Sequence, residues 1–343
     1  MSLLVVFGAG ASYDCVDVDL ALDSARRGGL YRPPLTYDIF APRPKFGEVL
    51  YSLPRLRGLV VELRKRVSVG DALERELDRV QVRSEAGDAN ASVQLMSLRF
   101  YLREVIEFCG RAWTEGAYGA TNYAWLVERL DRWARDNSEA VTYVTFNYDT
   151  ILEEAFAAEL RHSINVFSDY LAHPRAHLYK LHGSVDWGYR VHRPGPFDGT
   201  ERDWLINSAY TVPKDTGIEF KRDWTSGIQG EAWVPALAVP IQAKGGFVVP
   251  PEQLDQLRTD LRAVDRVLAI GWRAQEQHFT TMLQSEMDAD ALLAACANPD
   301  DAATTAAAIL QEPDRPRRYV NKGNDMGFSD LVGSQALEDL LGG

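Results

Sequence analysis

The N-terminal stretch of residues 3–12, Leu-Leu-Val-Val-Phe-Gly-Ala-Gly-Ala-Ser, restricts the fold of this chain more than any other segment. Residues 3–7 form a continuous apolar, partly β-branched run, which is typical of a strand buried on both faces of a parallel sheet. Gly8 and Gly10 then permit backbone conformations that would strain other residues, and they let a ligand approach the main chain. Ser12 can cap the helix that we expect to follow.

This strand–turn–helix pattern predicts a phosphate site, because free N–H groups and the helix dipole point at an anion bound there. The dinucleotide-binding fingerprint has a third glycine where this chain has Tyr13, so the match is incomplete. The alternative interpretation is an ordinary tight turn between a strand and a helix.

Length and charge narrow the class of protein. With 343 residues, of which 46% are hydrophobic, the chain can form one large α/β domain with an insert or two modest domains. The hydrophobic fraction of 46% also excludes global disorder. The net charge of −12, from 37 basic and 49 acidic residues, argues against nonspecific binding of DNA or RNA.

The cysteines indicate whether the chain can bind zinc and in which redox compartment it folds, and the apolar runs indicate whether it crosses a membrane. The three cysteines, Cys15, Cys109 and Cys296, form no Cys-x-x-Cys pair, so we expect no zinc site of that type and no metal. An odd count without a signal peptide fits a reducing cytoplasm. No apolar run approaches the ~20 residues of a membrane span, so we expect no membrane partner.

Strand and helix patterns then alternate along most of the chain. Residues 46–135 carry apolar residues at helical spacing and are predicted to be a helical module inserted between the first two sheet strands. Residues 188–234 are expected to be an irregular loop with a short hairpin. Strand patterns return in the segments 140–145, 176–181, 266–270, 289–296 and 317–320. This alternation predicts an α/β fold with a doubly wound parallel sheet. The predicted division is 1–45 with 136–343 as the sheet domain, and 46–135 as the inserted module.

Polar residues follow three of these strands directly. Besides the glycine turn, Asn147 and Asp149 follow the second strand, and His182 with Gly183 and Ser184 follows the third. In a doubly wound sheet, ligands bind beyond the carboxyl ends of the strands, so the three groups are predicted to gather at one edge. An amide can hold a hydroxyl and a water together, and histidine transfers protons near neutral pH.

Each of these side chains also has a structural interpretation. Asn147 is a common turn or cap residue, and Asp149 is a plausible N-cap for a helix starting at Thr150. A lone histidine such as His182 is more often structural than catalytic.

Taken together, the motifs Gly8-Ala-Gly-Ala-Ser12, Thr145-Phe-Asn147-Tyr-Asp149 and Lys180-Leu-His182-Gly-Ser184 resemble the sirtuin-like superfamily. The segments Pro33-Pro34-Leu35-Thr36 and Ile270-Gly271-Trp272 resemble its bacterial defence branch, whose members are NAD-degrading effectors. The resemblance implies a Rossmann-like domain with a smaller inserted module. It also implies NAD+ as substrate.

The resemblance implies a role for individual residues of this chain. It implies that Asn147 and His182 are catalytic, with Asn147 and Asp149 beside the nicotinamide ribose and the nicotinamide amide. The residues it implies for cofactor binding are Gly8, Ala9, Gly10, Ala11 and Ser12 at the pyrophosphate, Gly271 and Asn298 near the adenosine half, and Asp149, Gly183 and Ser184.

The departures from the family favour hydrolysis. Sirtuin deacylases carry four zinc-binding cysteines, and a chain with three cysteines cannot. The resemblance therefore favours an NAD+ glycohydrolase that depletes NAD in antiphage defence. The alternatives are a catalytically silent nucleotide-binding sensor or scaffold, and transfer of an ADP-ribosyl or acyl group to a protein.

An unregulated NAD hydrolase would poison its own cell, so we expect activity to be held back until a trigger arrives. By resemblance, the partners would be identical subunits in an oligomer, a ring-forming ATPase or a short Argonaute-type protein. No direct contact with nucleic acid is expected.

Overall fold

A computed structural model gives the fold of the chain. It describes residues 2–16, 29–66, 70–193, 195, 199–211, 217–224, 230–240, 246–287, 292–296, 299–310 and 327–342. Two sequence predictions lie outside the described residues, namely the adenosine-side residue Asn298 and the strand at 317–320.

The chain divides into two compact units. The first unit contains Met1–Pro33, Gly110–Leu181 and Val249–Gly343, and the second contains Pro34–Cys109 and His182–Val248. The predicted inserted module, residues 46–135, was defined by sequence pattern alone, and its boundaries stay a prediction.

Strands occur in both units. In chain order, those of the described residues are β1 (Ser2–Phe7), β2 (Ala140–Thr145), β3 (Ala176–Lys180), β4 (Gly183–His192), β5 (Ile218–Phe220), β6 (Glu231–Leu237), β7 (Val264–Ile270) and β8 (Leu292–Cys296).

The first unit is built on a five-stranded parallel sheet with the order β3-β2-β1-β7-β8. β1 is the central strand, with Leu3 opposite Val141 of β2 and Arg266 of β7. All six residues of β1 are buried, as the apolar run predicts for an interior strand. The strand order reverses between β1 and β7, and this reversal marks the crevice in which doubly wound sheets bind ligands. The predicted α/β, Rossmann-like fold is confirmed.

Helices connect and cover these strands. Those of the first unit are Ala9–Tyr13, Asn122–Asn137, Ile151–Glu159, Pro251–Leu261, Gln277–Glu286, Pro299–Leu310, Phe328–Val332 and Ala336–Leu341, with a 3-10 helix at Phe167–Leu171. Thr121 caps the helix Asn122–Asn137, and its hydroxyl oxygen accepts from the Ala124 N–H at 3.1 Å. It buries Tyr123, Leu126, Val127, Leu130 and Ala134, a spacing that makes one apolar face.

The second unit combines helices with a small antiparallel sheet. Its helices are Pro44–Ser52, Pro54–Arg66, Gly70–Glu85, Glu201–Asn207 and most of Ala89–Gly116, with a 3-10 helix at Thr36–Asp38. The sheet has the order β5-β4-β6, and Tyr189 of β4 lies opposite Ile218 and Val234.

This sheet corrects one prediction. Residues 188–234 were expected to be irregular with a short hairpin, but they contain half of β4, the helix Glu201–Asn207, β5 and most of β6. Gly188 and Asp186 interrupt the apolar alternation of β4, which hides the strand from a pattern search. The strand forms because Trp187 and Val191 are buried. Of the helices in the described residues, none is long and apolar enough to span a bilayer.

Candidate functional site

The turn after β1 packs main chain against main chain with the turn after β7. The Gly10 N–H donates to the Gly271 carbonyl at 3.1 Å, and the Gly8 N–H donates to the Ile270 carbonyl at 3.1 Å. A Cβ on Gly8 would lie 2.4 Å from the Gly271 oxygen, and a Cβ on Gly271 would lie 2.3 Å from the Ala11 nitrogen. Gly271 also has φ +57°, which disfavours other residues. Close packing of the two turns therefore requires glycine on both sides.

The helix Ala9–Tyr13 begins one residue after Gly8, which is its N-cap and offers no side-chain hydrogen bond. The prediction that Ser12 caps this helix is wrong, because Ser12 lies within it. The Ser12 side chain is buried, and its oxygen lies 3.1 Å from the Tyr123 hydroxyl. Ala11 is buried as well, whereas Ala9 and Gly10 are partly exposed.

Asn147 lies just beyond the carboxyl end of β2 and reaches across to the turn after β1. Its side-chain nitrogen donates to the Gly8 carbonyl at 2.9 Å, and it also lies 2.9 Å from the Ser12 hydroxyl and 3.2 Å from the Tyr123 hydroxyl. A carbonyl oxygen can only accept, so the amide nitrogen and not the amide oxygen must face Gly8. The Gly8 carbonyl therefore selects the end of the Asn147 amide that faces the turn, and the two hydroxyls contact that same nitrogen.

Asp149 supports the start of the next helix. Its carboxylate accepts from the Ile151 N–H at 3.2 Å, and the helix Ile151–Glu159 begins at that residue. Burial raises the pKa of Asp149, while the charge of Lys180 and hydrogen bonds from Ser12 and Ile151 oppose that rise. Asp149 thus acts as a helix cap and also lies within hydrogen-bonding reach of Ser12.

A buried ion pair joins the end of β3 to the helix that follows β2. Lys180, the last residue of β3, has no exposed surface, and its Nζ lies 2.9 Å from Glu153 Oε1. Lys180 also donates to the main-chain carbonyl of Asp149. The Tyr170 hydroxyl donates to Glu153 Oε1 at 3.0 Å. The position of Asp149 is therefore held by a charge network that the sequence motifs did not reveal.

A second polar cluster ties the residues after the glycine turn to the C-terminal part of the first unit. The Asp14 carboxylate accepts from the Ser329 N–H at 3.0 Å and from the Ser329 hydroxyl at 2.9 Å. Beside it, the rings of Phe7 and Phe328 lie 5.0 and 5.2 Å from the ring of Tyr123. The helix Phe328–Val332 therefore supports Tyr123 from one side.

The third predicted group belongs to the second unit. His182 is buried, and its carbonyl accepts from the Ala238 N–H at 2.9 Å. Gly183 has φ +85°, and a Cβ there would lie 1.9 Å from the Ala236 oxygen, so only glycine fits. Ser184 is fully buried. The predicted convergence of His182 with Asn147 on one ligand stays a prediction.

Within the first unit, the structure brings six of the predicted residues together: Gly8, Gly10, Ser12, Asn147, Asp149 and Gly271. Sequence reasoning missed Tyr123, Lys180 and Glu153. A lysine at the end of an apolar strand was a usable signal for Lys180. The sequence around Tyr123 contains no such signal, because an aromatic residue in the first turn of an amphipathic helix is common.

Comparison with known families agrees with this fold. A model of the SIR2-like domain matches residues 141–326, which is more than half of the chain. The chain therefore belongs to the SIR2-like family.

Three solved structures of Sir2 homologues are similar over 99% of this chain. A triple mutant with 2′-O-acetyl-ADP-ribose has 14% identity, a TM-score of 0.42 and 93% of its own chain covered. A single mutant with ADP-ribose has 13% identity, a TM-score of 0.40 and 93% covered. A complex with NAD has 15% identity, a TM-score of 0.36 and 90% covered. A search of curated proteins finds no match.

Proposed function

We propose that this chain binds NAD+ and hydrolyses the bond between nicotinamide and ribose, releasing nicotinamide and ADP-ribose. One observation carries the proposal. In a chain of the SIR2-like family, the Asn147 amide is held by the carbonyl of Gly8 at the point where the strand order reverses. Doubly wound sheets bind dinucleotides at that point.

The orientation of Asn147 defines its proposed part in the reaction. Its nitrogen is engaged by Gly8 and the hydroxyls of Ser12 and Tyr123, so its oxygen is the group that would accept a hydrogen bond from a ribose hydroxyl or a water. Asp149 would bind the nicotinamide amide. The glycine turn would line the pyrophosphate, with Gly271 near the adenosine half.

The proposed reaction passes through an oxocarbenium-like transition state, as other glycosidic cleavages do. The C–N bond breaks, and its electron pair leaves with nicotinamide, which becomes neutral. The oxygen of a water bonds to the ribose carbon, and its proton passes to His182 as general base and then to solvent. No acyl-lysine substrate is required, which agrees with a chain whose three cysteines cannot form the four-cysteine zinc site of sirtuin deacylases.

The proposed biological role is that of a regulated effector in bacterial antiphage defence that depletes NAD. Regulation is part of the proposal because an unregulated hydrolase would deplete NAD in its own cell. Assembly into a homo-oligomer is the first candidate for that control. A ring-forming ATPase or a short Argonaute-type protein is an alternative partner.

The experiment is a direct assay of nicotinamide released from NAD+, by purified protein and in cells that express it. We expect Asn147→Ala and His182→Ala to lower the rate by about 10²- to 10⁴-fold, the effect of one positioned catalytic group. Asn207→Ala and His192→Ala are matched controls, because both side chains are exposed and neither residue is assigned to the proposed site. Absence of nicotinamide release by the wild type in both settings contradicts the proposal. Full activity of His182→Ala removes His182 from it.

A further inference from the structure

Tyr123, Ser12, Asn147 and Asp149 form a chain of hydrogen bonds next to the glycine turn. The Tyr123 hydroxyl lies 3.1 Å from Ser12 Oγ and 3.2 Å from Asn147 Nδ2, and Asn147 Nδ2 lies 2.9 Å from Ser12 Oγ. All four side chains are at least nine-tenths buried. In such a site each proton needs an acceptor, because an unpaired polar group is costly.

The acceptors determine the direction of each bond. The carbonyl of Gly8 takes one N–H of Asn147. The Ser12 hydroxyl proton goes to the Asp149 carboxylate, which can only accept while ionised. The oxygen of Ser12 then accepts from its two other neighbours, the Tyr123 hydroxyl and the second N–H of Asn147. The chain therefore runs from Tyr123 through Ser12 to Asp149, and Asn147 joins it through its nitrogen.

Tyr123 is itself held rigidly. It is the second residue of the helix Asn122–Asn137, it is 1% exposed, and its ring packs between Phe7 and Phe328. Burial, followed by the negative charge of Asp149, raises the pKa of Tyr123 well above its ordinary value. The hydroxyl therefore keeps its proton and remains a donor throughout the physiological pH range.

We propose that Tyr123 is a positioning residue that holds the side-chain amide of Asn147 in its reactive orientation through its hydroxyl contacts with Asn147 and Ser12. This inference rests on the proposed hydrolysis of NAD+ and adds to it a residue from a helix far from the motifs in sequence. Rotation of the amide would bring its oxygen against the Gly8 carbonyl and against the Tyr123 oxygen, whose proton is donated to Ser12. Tyr123 does not touch the reacting atoms in this scheme.

Tyr123→Phe tests the role, because it removes the hydroxyl and keeps the ring packing. We expect kcat for nicotinamide release to fall about tenfold, with KM changed less than about twofold, as for the loss of one buried hydrogen bond that acts in the transition state. Tyr143→Phe is the matched control. Tyr143 is a buried tyrosine of β2 that packs on Phe156 and lies outside the chain of hydrogen bonds, so its kcat should equal that of the wild type.

A second measurement does not require activity. In ¹H–¹⁵N spectra the two side-chain N–H signals of Asn147, assigned by their loss in Asn147→Ala, should be sharp and separate in the wild type. We expect them to shift and to exchange faster with solvent in Tyr123→Phe, and to stay unchanged in Tyr143→Phe.

The outcomes separate the two proposals. If the wild type releases no nicotinamide, the hydrolase proposal fails, and the Asn147 signals alone decide whether Tyr123 holds the amide. If the wild type is active and Tyr123→Phe has unchanged kcat, or if the Asn147 signals do not respond, the positioning role of Tyr123 is overturned and the hydrolase proposal stands. Should Tyr123→Phe not fold, the wild type decides. Its Asn147 side-chain N–H protons must show nuclear Overhauser effects to protons of Tyr123, and their absence overturns the inference.

Discussion

The side-chain nitrogen of Asn147 donates a hydrogen bond to the main-chain carbonyl of Gly8 across 2.9 Å, although 139 positions separate the two residues. The bond joins the carboxyl end of β2 to the turn after β1. The Gly8 carbonyl can only accept, so the amide nitrogen faces it, and the hydroxyls of Ser12 and Tyr123 contact the same nitrogen. The geometry of this part of the site is therefore set by the packing of the two turns around Gly8 and Gly271.

That packing gives the first prediction, which concerns Gly271→Ala. The new methyl group would lie 2.3 Å from the Ala11 nitrogen, at a residue whose φ is +57°. The turns must separate or the backbone must change, and we expect the free energy of unfolding to fall by about 1–3 kcal/mol or more, as for overpacking combined with backbone strain. Denaturant unfolding of the purified variant and of the wild type measures this difference in the free energy of unfolding.

Gly58→Ala is the control for that substitution. Gly58 lies inside the helix Pro54–Arg66, and apart from its chain neighbours and the nearby backbone of that helix no atom lies within 4 Å of an added Cβ. Alanine should leave stability unchanged or raise it by up to about 1 kcal/mol, since glycine is a poor helix former. Equal stability of the Gly271→Ala and Gly58→Ala variants would show that the two turns are not closely packed.

The sequence was sufficient for the parts of the site that local patterns determine. The apolar run of residues 3–7 predicts a buried parallel strand, and the structure has β1 at the centre of the sheet. Asn147 and Asp149 were selected because they follow an apolar strand directly, and their roles toward a ligand stay predictions. The cap predicted at Ser12 was wrong because the helix starts directly after Gly8, and the side chain of Ser12 instead faces Asn147.

The roles of Tyr123 and Glu153, by contrast, depend on tertiary contacts that no local pattern encodes. Tyr123 belongs to a helix with an ordinary apolar face, and only its packing beside Ser12 gives its hydroxyl a partner. Lys180 is fully buried, and its partner Glu153 lies in a helix whose other buried residues are mostly apolar. A residue whose role is created by a distant partner has to be read from the structure.

The second prediction concerns the buried pair of Lys180 and Glu153. Lys180→Met keeps much of the side-chain volume but leaves the Glu153 carboxylate buried without its cation, 2.9 Å from where Nζ lay. We expect the free energy of unfolding to fall by about 3–5 kcal/mol, because a buried charge that loses its partner keeps its desolvation cost. Denaturant unfolding measures the effect.

The matching double variant distinguishes loss of the pair from loss of packing. In Lys180→Met combined with Glu153→Gln the unpaired charge is absent, and the Gln can still accept from the Tyr170 hydroxyl. The double variant should therefore be more stable than Lys180→Met alone. If the double variant loses as much stability as Lys180→Met and Glu153→Gln lose together, the two side chains are not coupled.

The third prediction concerns pH and the carboxylate of Asp260. Burial opposes its ionisation, but hydrogen bonds from His177 at 2.7 Å, Tyr179 at 2.6 Å and Gln256 at 2.8 Å outweigh burial and lower its pKa below the ordinary 3.8. A folded-state pKa below the unfolded value adds stability at pH above the unfolded value, and this stability is lost as the pH falls through the folded pKa.

Asp260→Asn should therefore lower the free energy of unfolding near neutral pH and make it less dependent on pH between about 5 and about 2, where aspartates of the native state titrate. Thermal or denaturant unfolding across that range measures the slope for both proteins. Asp255→Asn is the control, because its side chain lies in the same helix and is 82% exposed, so its slope should match that of the wild type. A slope for Asp260→Asn equal to that of the wild type would show that the carboxylate is not stabilised by its three neighbours.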